Sequence, residues 1–326
     1  MTCPFPDPRH LIKKLRNQIL NVRRLLIIGN YAVQLDDLME LADCSRYKHK
    51  LGLWKTDIRV NDKQNVNAAI RLFDPKVQEC LNDLNPEKYV GIVTYLKLGT
   101  LLHKLYFAKD VTVNERIKYA WTLVQFLRFW KIWISKSGYS AEKKFISDQT
   151  FKDIQIAGHS FILFSKLHFT HHKTQPFEPW VWGSNACEEV FAKARCYVRT
   201  KNNFCHSEFL DICKRLQKVS ETERNPHLKT TAAGTETSSE KYVIDISDFD
   251  TVLKEEMMKG DFSACELAVA VGFHSDLIKE GIIEESTNGQ MCLKDATALS
   301  LIDTAQNSPS ELNSKDEIKT LSNDEV

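Results

Sequence analysis

The sequence predicts a mainly α-helical protein that ends in a linker and a small acidic C-terminal module, and three observations lead there. Apolar residues recur with a helical period from Leu11 to Val219. Proline, glycine and asparagine punctuate that run at short intervals. From Ser220 to Lys241 the apolar residues nearly vanish, and they return at Tyr242. With 326 residues, 43% hydrophobic and 10% aromatic, the chain has room for two domains and material for a substantial core.

Asp7-Pro8 stands ahead of the apolar and basic stretch Leu11 to Ile28. It supplies an N-cap followed by proline at the first helical position, so the first helix should start near Pro8. Ile27 to Val33, β-branched and aromatic around Gly29 and Asn30, fits either a short strand or a helix end. Asp62 to Leu84 reads as two short helices divided at Asp74-Pro75, with an N-cap at Asn61 or Asp62. Glu87 to Ala108, Asn114 to Ser135 and Phe151 to Phe169 are long and periodic, and Glu188 to Val198 and Phe204 to Val219 continue the pattern. Residues 221–241 are rich in Thr, Ser, Glu and Lys, which predicts a linker. Residues 242–306 form the acidic module, helical with a hairpin around Asn288-Gly289, and 307–326 read as a disordered tail.

The net charge of +1 conceals an asymmetry, because residues 242–326 hold 18 acidic against 6 basic side chains, a net of −12 that leaves +13 on the rest. A basic body suits a polyanion, although solvated faces explain it as well. No secretory signal is evident at the N-terminus, and Trp121 to Ile134 is interrupted by Gln125, Arg128 and Lys131, short of the roughly 20 apolar residues a membrane span needs. Among nine cysteines there is no CxxC, and Cys187, Cys196, Cys205 and Cys213 are too widely spaced for paired zinc ligands. No zinc is expected, and the thiols should be reduced and mostly buried. Glycine-rich phosphate loops and nucleophile elbows are absent.

Arg116 to Lys136 interleaves Trp121, Phe126, Phe129, Trp130 and Trp133 with basic residues. That pattern fits a nucleotide-stacking surface or, with bases lying beside it, a core face. His168, His171 and His172 have helical spacing but no acidic neighbour in sequence, and read as surface or capping residues.

Two stretches carry a resemblance. Asp7-Pro8-Arg9-His10-Leu11-Ile12-Lys13-Lys14-Leu15-Arg16-Asn17 resembles the D-x-x-H-L-x-K-x-x-R-N element of THAP-type and P-element-like DNA transposases. Gly183-Ser184-Asn185-Ala186-Cys187-Glu188, continuing through Phe191 to Arg195, is similar to the G-S-x-x-C-E-x-x-F-x-x-x-R segment of transposon-derived proteins, related in turn to hAT transposases. Asp62-Lys63-Gln64-Asn65-Val66 also looks like the D-K-x-x-V segment preceding the family's helical insertion. The resemblance spans about residues 4–220. It implies an RNase H-like α/β core interrupted by that insertion: 1–60 as a partial core segment with its aspartate at the end of a central strand, 61–175 as the insertion, and 176–220 as the returning helices. It further implies that Asp7 and Glu188 are the second and third acids of a DDE site binding Mg2+ or Mn2+, with Glu189 the weaker neighbour.

Residue chemistry alone gives Asp7 an N-cap role, compatible with metal binding, and gives Glu188 a place beside an apolar stripe formed by Ala186, Val190 and Ala194. Two-metal strand transfer normally takes three acids, and only six residues precede Asp7, so the family's first aspartate and its zinc-coordinated THAP domain lie outside this sequence. The expectation is a transposase-derived, nuclear or cytoplasmic DNA-binding protein with an incomplete site, inactive on its own, touching DNA through His10, Lys13, Lys14, Arg16, Lys193 and Arg195. One alternative is a helical protein-interaction module, with an exposed apolar patch on 242–305 or 88–136 and a protein partner for the acidic segment. Another is a nuclease taking its third acid from Asp36, Asp37 or Asp43.

Overall fold

A computed structural model describes residues 5–47, 50–59, 62–172, 175–197, 205–224 and 248–294. Asp7 caps helix α1 (Pro8–Ile19), which buries Leu11, Ile12, Leu15 and Ile19. The open question at 27–33 resolves as an antiparallel hairpin, β1 (Leu26–Ile28) with β2 (Tyr31–Val33), turning at Gly29-Asn30. Short helices follow: α2 (Leu35–Asp43), α3 (Lys55–Ile58), α4 (Val66–Leu72) and α5 (Pro75–Leu84). Asp74 caps α5 ahead of its proline, as predicted. The cap of α4 is Asn65 instead of Asn61 or Asp62, because the Asn65 side chain accepts from the Ala68 amide at 2.9 Å while Asp62 closes a turn onto the Gln64 amide.

Three long helices form the centre: α6 (Val90–Tyr106), α7 (Val113–Lys136) and, after the single turn α8 (Ala141–Lys144), α9 (Asp148–His171). A capping box between Thr112 and Glu115 starts α7. On α7 the aromatic stripe is core: Phe126, Phe129 and Trp130 are fully buried, and Trp121 and Trp133 nearly so. Arg116 is buried too. It donates to the carbonyls of Lys104, Leu105 and Ala108, the orphan acceptors at and just beyond the C-terminus of α6. The stacking-surface reading of this helix is therefore set aside.

The chain returns through α10 (Asn185–Tyr197) and α11 (His206–Arg224), which pack on each other with Phe191 stacked on Phe209. Then come α12 (Phe249–Ala270), α13 (His274–Lys279) and a second hairpin, β3 (Ile283–Glu285) with β4 (Met291–Leu293), turning at Asn288-Gly289 as expected. The acidic segment is not a separate module. α12 lies along α7, and Phe249, Ala264, Cys265, Leu267, Val271 and Phe273 belong to the main core. Gly260 permits that approach, since a Cβ there would stand 2.9 Å from the Cβ of Trp121. Its acids meet the body directly: Asp261 accepts from the Trp121 indole at 2.7 Å, Asp276 accepts from the Trp133 indole at 3.2 Å, and Lys166–Asp250 and Lys136–Glu280 are ion pairs.

The mainly helical class is what the structure has. Among the described residues the strands form two separate two-stranded hairpins, and Phe5–Asp7 reach α1 as irregular chain instead of the expected central strand. α11 runs to Arg224, through the first residues of the expected linker; the rest of that linker and the 307–326 tail lie outside the described residues. Thiols are less buried than expected, with Cys187, Cys196 and Cys205 exposed. No described helix is long and apolar enough to cross a membrane.

Candidate metal centre

The two stretches singled out in the sequence meet. Phe5 packs edge-on against Trp182 at 5.3 Å and against Tyr106 of α6 at 5.6 Å, while Trp182 sits among Phe161, Phe164 and Phe177. This aromatic cluster clips the approach to α1 onto the approach to α10. It brings together residues 181 positions apart in the chain, Asp7 at the start of one helix and Glu188 in the first turn of the other.

Asp7 divides its carboxylate. Oδ1 accepts the Arg9 amide at 2.7 Å and the His10 amide at 3.4 Å, which is the N-cap, and Oδ2 accepts the Ser184 amide at 3.0 Å and the Ser184 hydroxyl. The Ser184 Oγ also lies 2.7 Å from Glu188 Oε1. A hydroxyl has one proton, so two carboxylate oxygens converge on a donor able to satisfy only one of them. Gly183 makes the turn feasible: it sits at φ +124°, a conformation that side chains strain to adopt, while a Cβ there would meet Asp7 only at ordinary contact distance. Burial pushes the Asp7 carboxyl up, but the hydroxyl and amide of Ser184 and the amides of Arg9 and His10 outweigh it and hold the pKa at about 2. Asp7 is thus ionised at neutral pH.

His10, one turn along α1, places Nδ1 3.5 Å from Asp7 Oδ2. Asp7, His10 and Glu188 each offer a ligand atom, all within 4.8 Å of one another, and among the described residues no other such His, Cys, Asp or Glu group occurs. His10 and Glu188 are exposed, so the group opens to solvent. From sequence His10 is expected on DNA and Ser184 has no assigned role; the structure places both beside Asp7. The available signals were the three-residue spacing of Asp7 and His10 and the four-residue spacing of Ser184 and Glu188.

The remaining expected residues scatter. Arg16 is fully buried and donates to the Asp57 and Asp62 carbonyls, which corrects its placement among DNA contacts. Lys14 is paired with Asp153, Lys13 donates to Gln64 at 3.1 Å, and Lys193 pairs with Glu189 at 3.2 Å, Glu189 lying outside the Asp7 group; Arg195 is exposed on α10. The candidate third acids Asp36, Asp37 and Asp43 sit on α2 and do not join the cluster. Asp43 pairs with Lys55, and burial raises the carboxyl of Asp37. His168 instead contacts the Gln175 carbonyl at 3.1 Å and the Phe177 ring.

No protein-family model, no curated protein and no solved structure matches this chain.

Proposed function

We propose that this chain is a transposase-derived, nuclear DNA-binding protein whose Asp7 and Glu188 are two acids of a DDE-type site, one acid short of what strand transfer requires. The observation that carries this reading is the convergence of those two carboxylates on Ser184, at the two stretches where the sequence resembles P-element-like and hAT transposases. Supporting it, a helical block stands between them in the chain, as the resemblance would require of an insertion. Hard oxygen ligands favour Mg2+ or Mn2+, and a bound ion would supply activation of a water or a 3′-hydroxyl. With two acids the chain binds DNA without cleaving it unaided.

Filter binding of duplex DNA across a salt series, with and without Mg2+ or Mn2+, tests the reading. The expected result is binding that weakens steeply with salt. Salt-insensitive or undetectable binding would refute it.

One observation favours a second reading, a protein-interaction module. The α6 and α7 residues expected to form an apolar patch are buried, but Val190 and Tyr197 of α10 and Leu210 and Val219 of α11 are each 40% or more exposed. Cooperative protein binding without DNA affinity would select it.

A further inference from the structure

The C-terminus of α9 carries a pair of imidazoles that the Asp7 site does not use. His168 lies in the last turn of α9 and His172 is its C-cap, one helical turn further on, with the two ring centres 6.1 Å apart. Two imidazoles held on one ion by bonds of about 2.0–2.1 Å have ring centres roughly 5–6 Å apart. A small rotation of His172, which is exposed, therefore closes the pair.

His168 is already held as a metal-bound ring is held. It packs edge-on against the buried Phe177 and against Phe169, each at 5.1 Å, and its Nε2 lies 3.1 Å from the Gln175 carbonyl. A carbonyl only accepts, so in the neutral ring Nε2 carries the proton and Nδ1 keeps its lone pair. A histidine that donates one nitrogen to a carbonyl while the other takes the ion has the usual support of a metal ligand. The position favours a cation as well, because the last carbonyls of α9 and the negative end of its dipole are at this terminus. Neutral nitrogen donors select zinc, nickel or copper over magnesium.

We propose that His168 Nδ1 and a ring nitrogen of His172 bind one divalent ion of the zinc type, with water in the remaining positions. This site is independent of the Asp7 and Glu188 reading. By drawing charge from the ring, the ion strengthens the donation from His168 Nε2 to Gln175, and so ties the end of α9 to the stretch that leads through Phe177 to Trp182.

The test is titration of the full chain with Zn2+, read at the histidine ring nitrogens by proton–nitrogen-15 NMR, so that zinc taken up by thiols or at Asp7 does not enter the readout. The same titration is run on His168→Gln and His172→Ala, each checked for an unchanged thermal melt, and on His10→Ala. The expected result is that the His168 Nδ1 and His172 signals shift together at micromolar Zn2+ while His168 Nε2 keeps its proton. Removing either ring should raise the Zn2+ concentration the other needs on the order of tenfold or more, and His10→Ala should leave both responses unchanged. The wild-type spectrum alone decides the binding atom. Rings that ignore Zn2+ up to millimolar concentration, His168 bound through Nε2, or a His172 response unchanged in His168→Gln would each overturn the proposal.

Discussion

At Asp7 one side chain does two jobs that reinforce each other. Its N-cap bonds fix the carboxylate at the start of α1, and the fixed carboxylate holds Oδ2 where it accepts the amide and hydroxyl of Ser184 at the start of α10. Because its pKa is depressed to about 2, its stabilising contribution is complete above the ordinary carboxylate range and is lost as pH falls toward 2. Gly183 is the residue on which this arrangement is most easily broken. Gly183→Ala should cost about 1–3 kcal/mol, since φ +124° is strained for any side chain, and should weaken Mn2+ binding by moving Ser184 off Asp7. Urea denaturation and metal titration of the variant check this; a fully stable, metal-competent Gly183→Ala would count against the geometry. The cap was legible from Asp-Pro before an apolar helix. Arg16 was not, because nothing local announces that the carbonyls of Asp57 and Asp62, more than 40 positions on, will surround it.

At the scale of elements, the α7–α12 contact carries a pH dependence. Burial against α7 pushes the Asp261 carboxyl up to about 6, despite the Trp121 indole and the nearby Arg128 guanidinium. A carboxyl raised in the folded state binds its proton more tightly than in the unfolded chain. The contribution of Asp261 is therefore complete below about pH 4 and is lost as pH rises from there through about 6. Two pKa units correspond to at most about 3 kcal/mol. Asp261→Asn keeps an oxygen for the indole and removes the charge, so at pH 7 it should raise the unfolding free energy by about 2 kcal/mol and flatten the decline between pH 4 and 6. Chemical denaturation at several pH values measures both, and a variant less stable at pH 7 would contradict the account. The start of α1 and the positions of α5, α6, α7, α9 and α10 were readable to within a turn because apolar period, proline and caps are local signals, whereas α2 and α3 were not read at all and α1 ends about nine residues before the apolar stretch that suggested it. The 27–33 segment was ambiguous for the opposite reason: three-residue strands have too little period to read, and their pairing depends on the turn at Gly29-Asn30.

Over the whole molecule, composition misled about where the protein divides. A polar, charge-rich stretch separates Val219 from Tyr242 and suggested two bodies, yet α12 fills the groove beside α7, and its acids are matched to indoles and lysines of the basic part. The charge asymmetry between the basic body and the acidic C-terminal segment is in part an internal complement. A chain shortened to end before Asp248 should lose its cooperative thermal transition, or melt many degrees lower, because a face of α7 including Trp121 and Phe126 would be uncovered. Calorimetry decides it: an unchanged melting temperature would mean that α12 adds nothing to the core. The candidate site was legible as two acids in two motifs, but the places of His10 and Ser184 beside them needed the aromatic cluster of Phe5, Tyr106 and Trp182 to bring the stretches together.

That meeting of Asp7 and Glu188 is what the functional account stands on, and a double-mutant cycle in Mn2+ affinity addresses it directly. If both carboxylates grip one ion, Asp7→Asn and Glu188→Gln should each remove most of the binding, and the double variant should lose little more than either alone. Strictly additive losses, or binding that survives both substitutions, would contradict it.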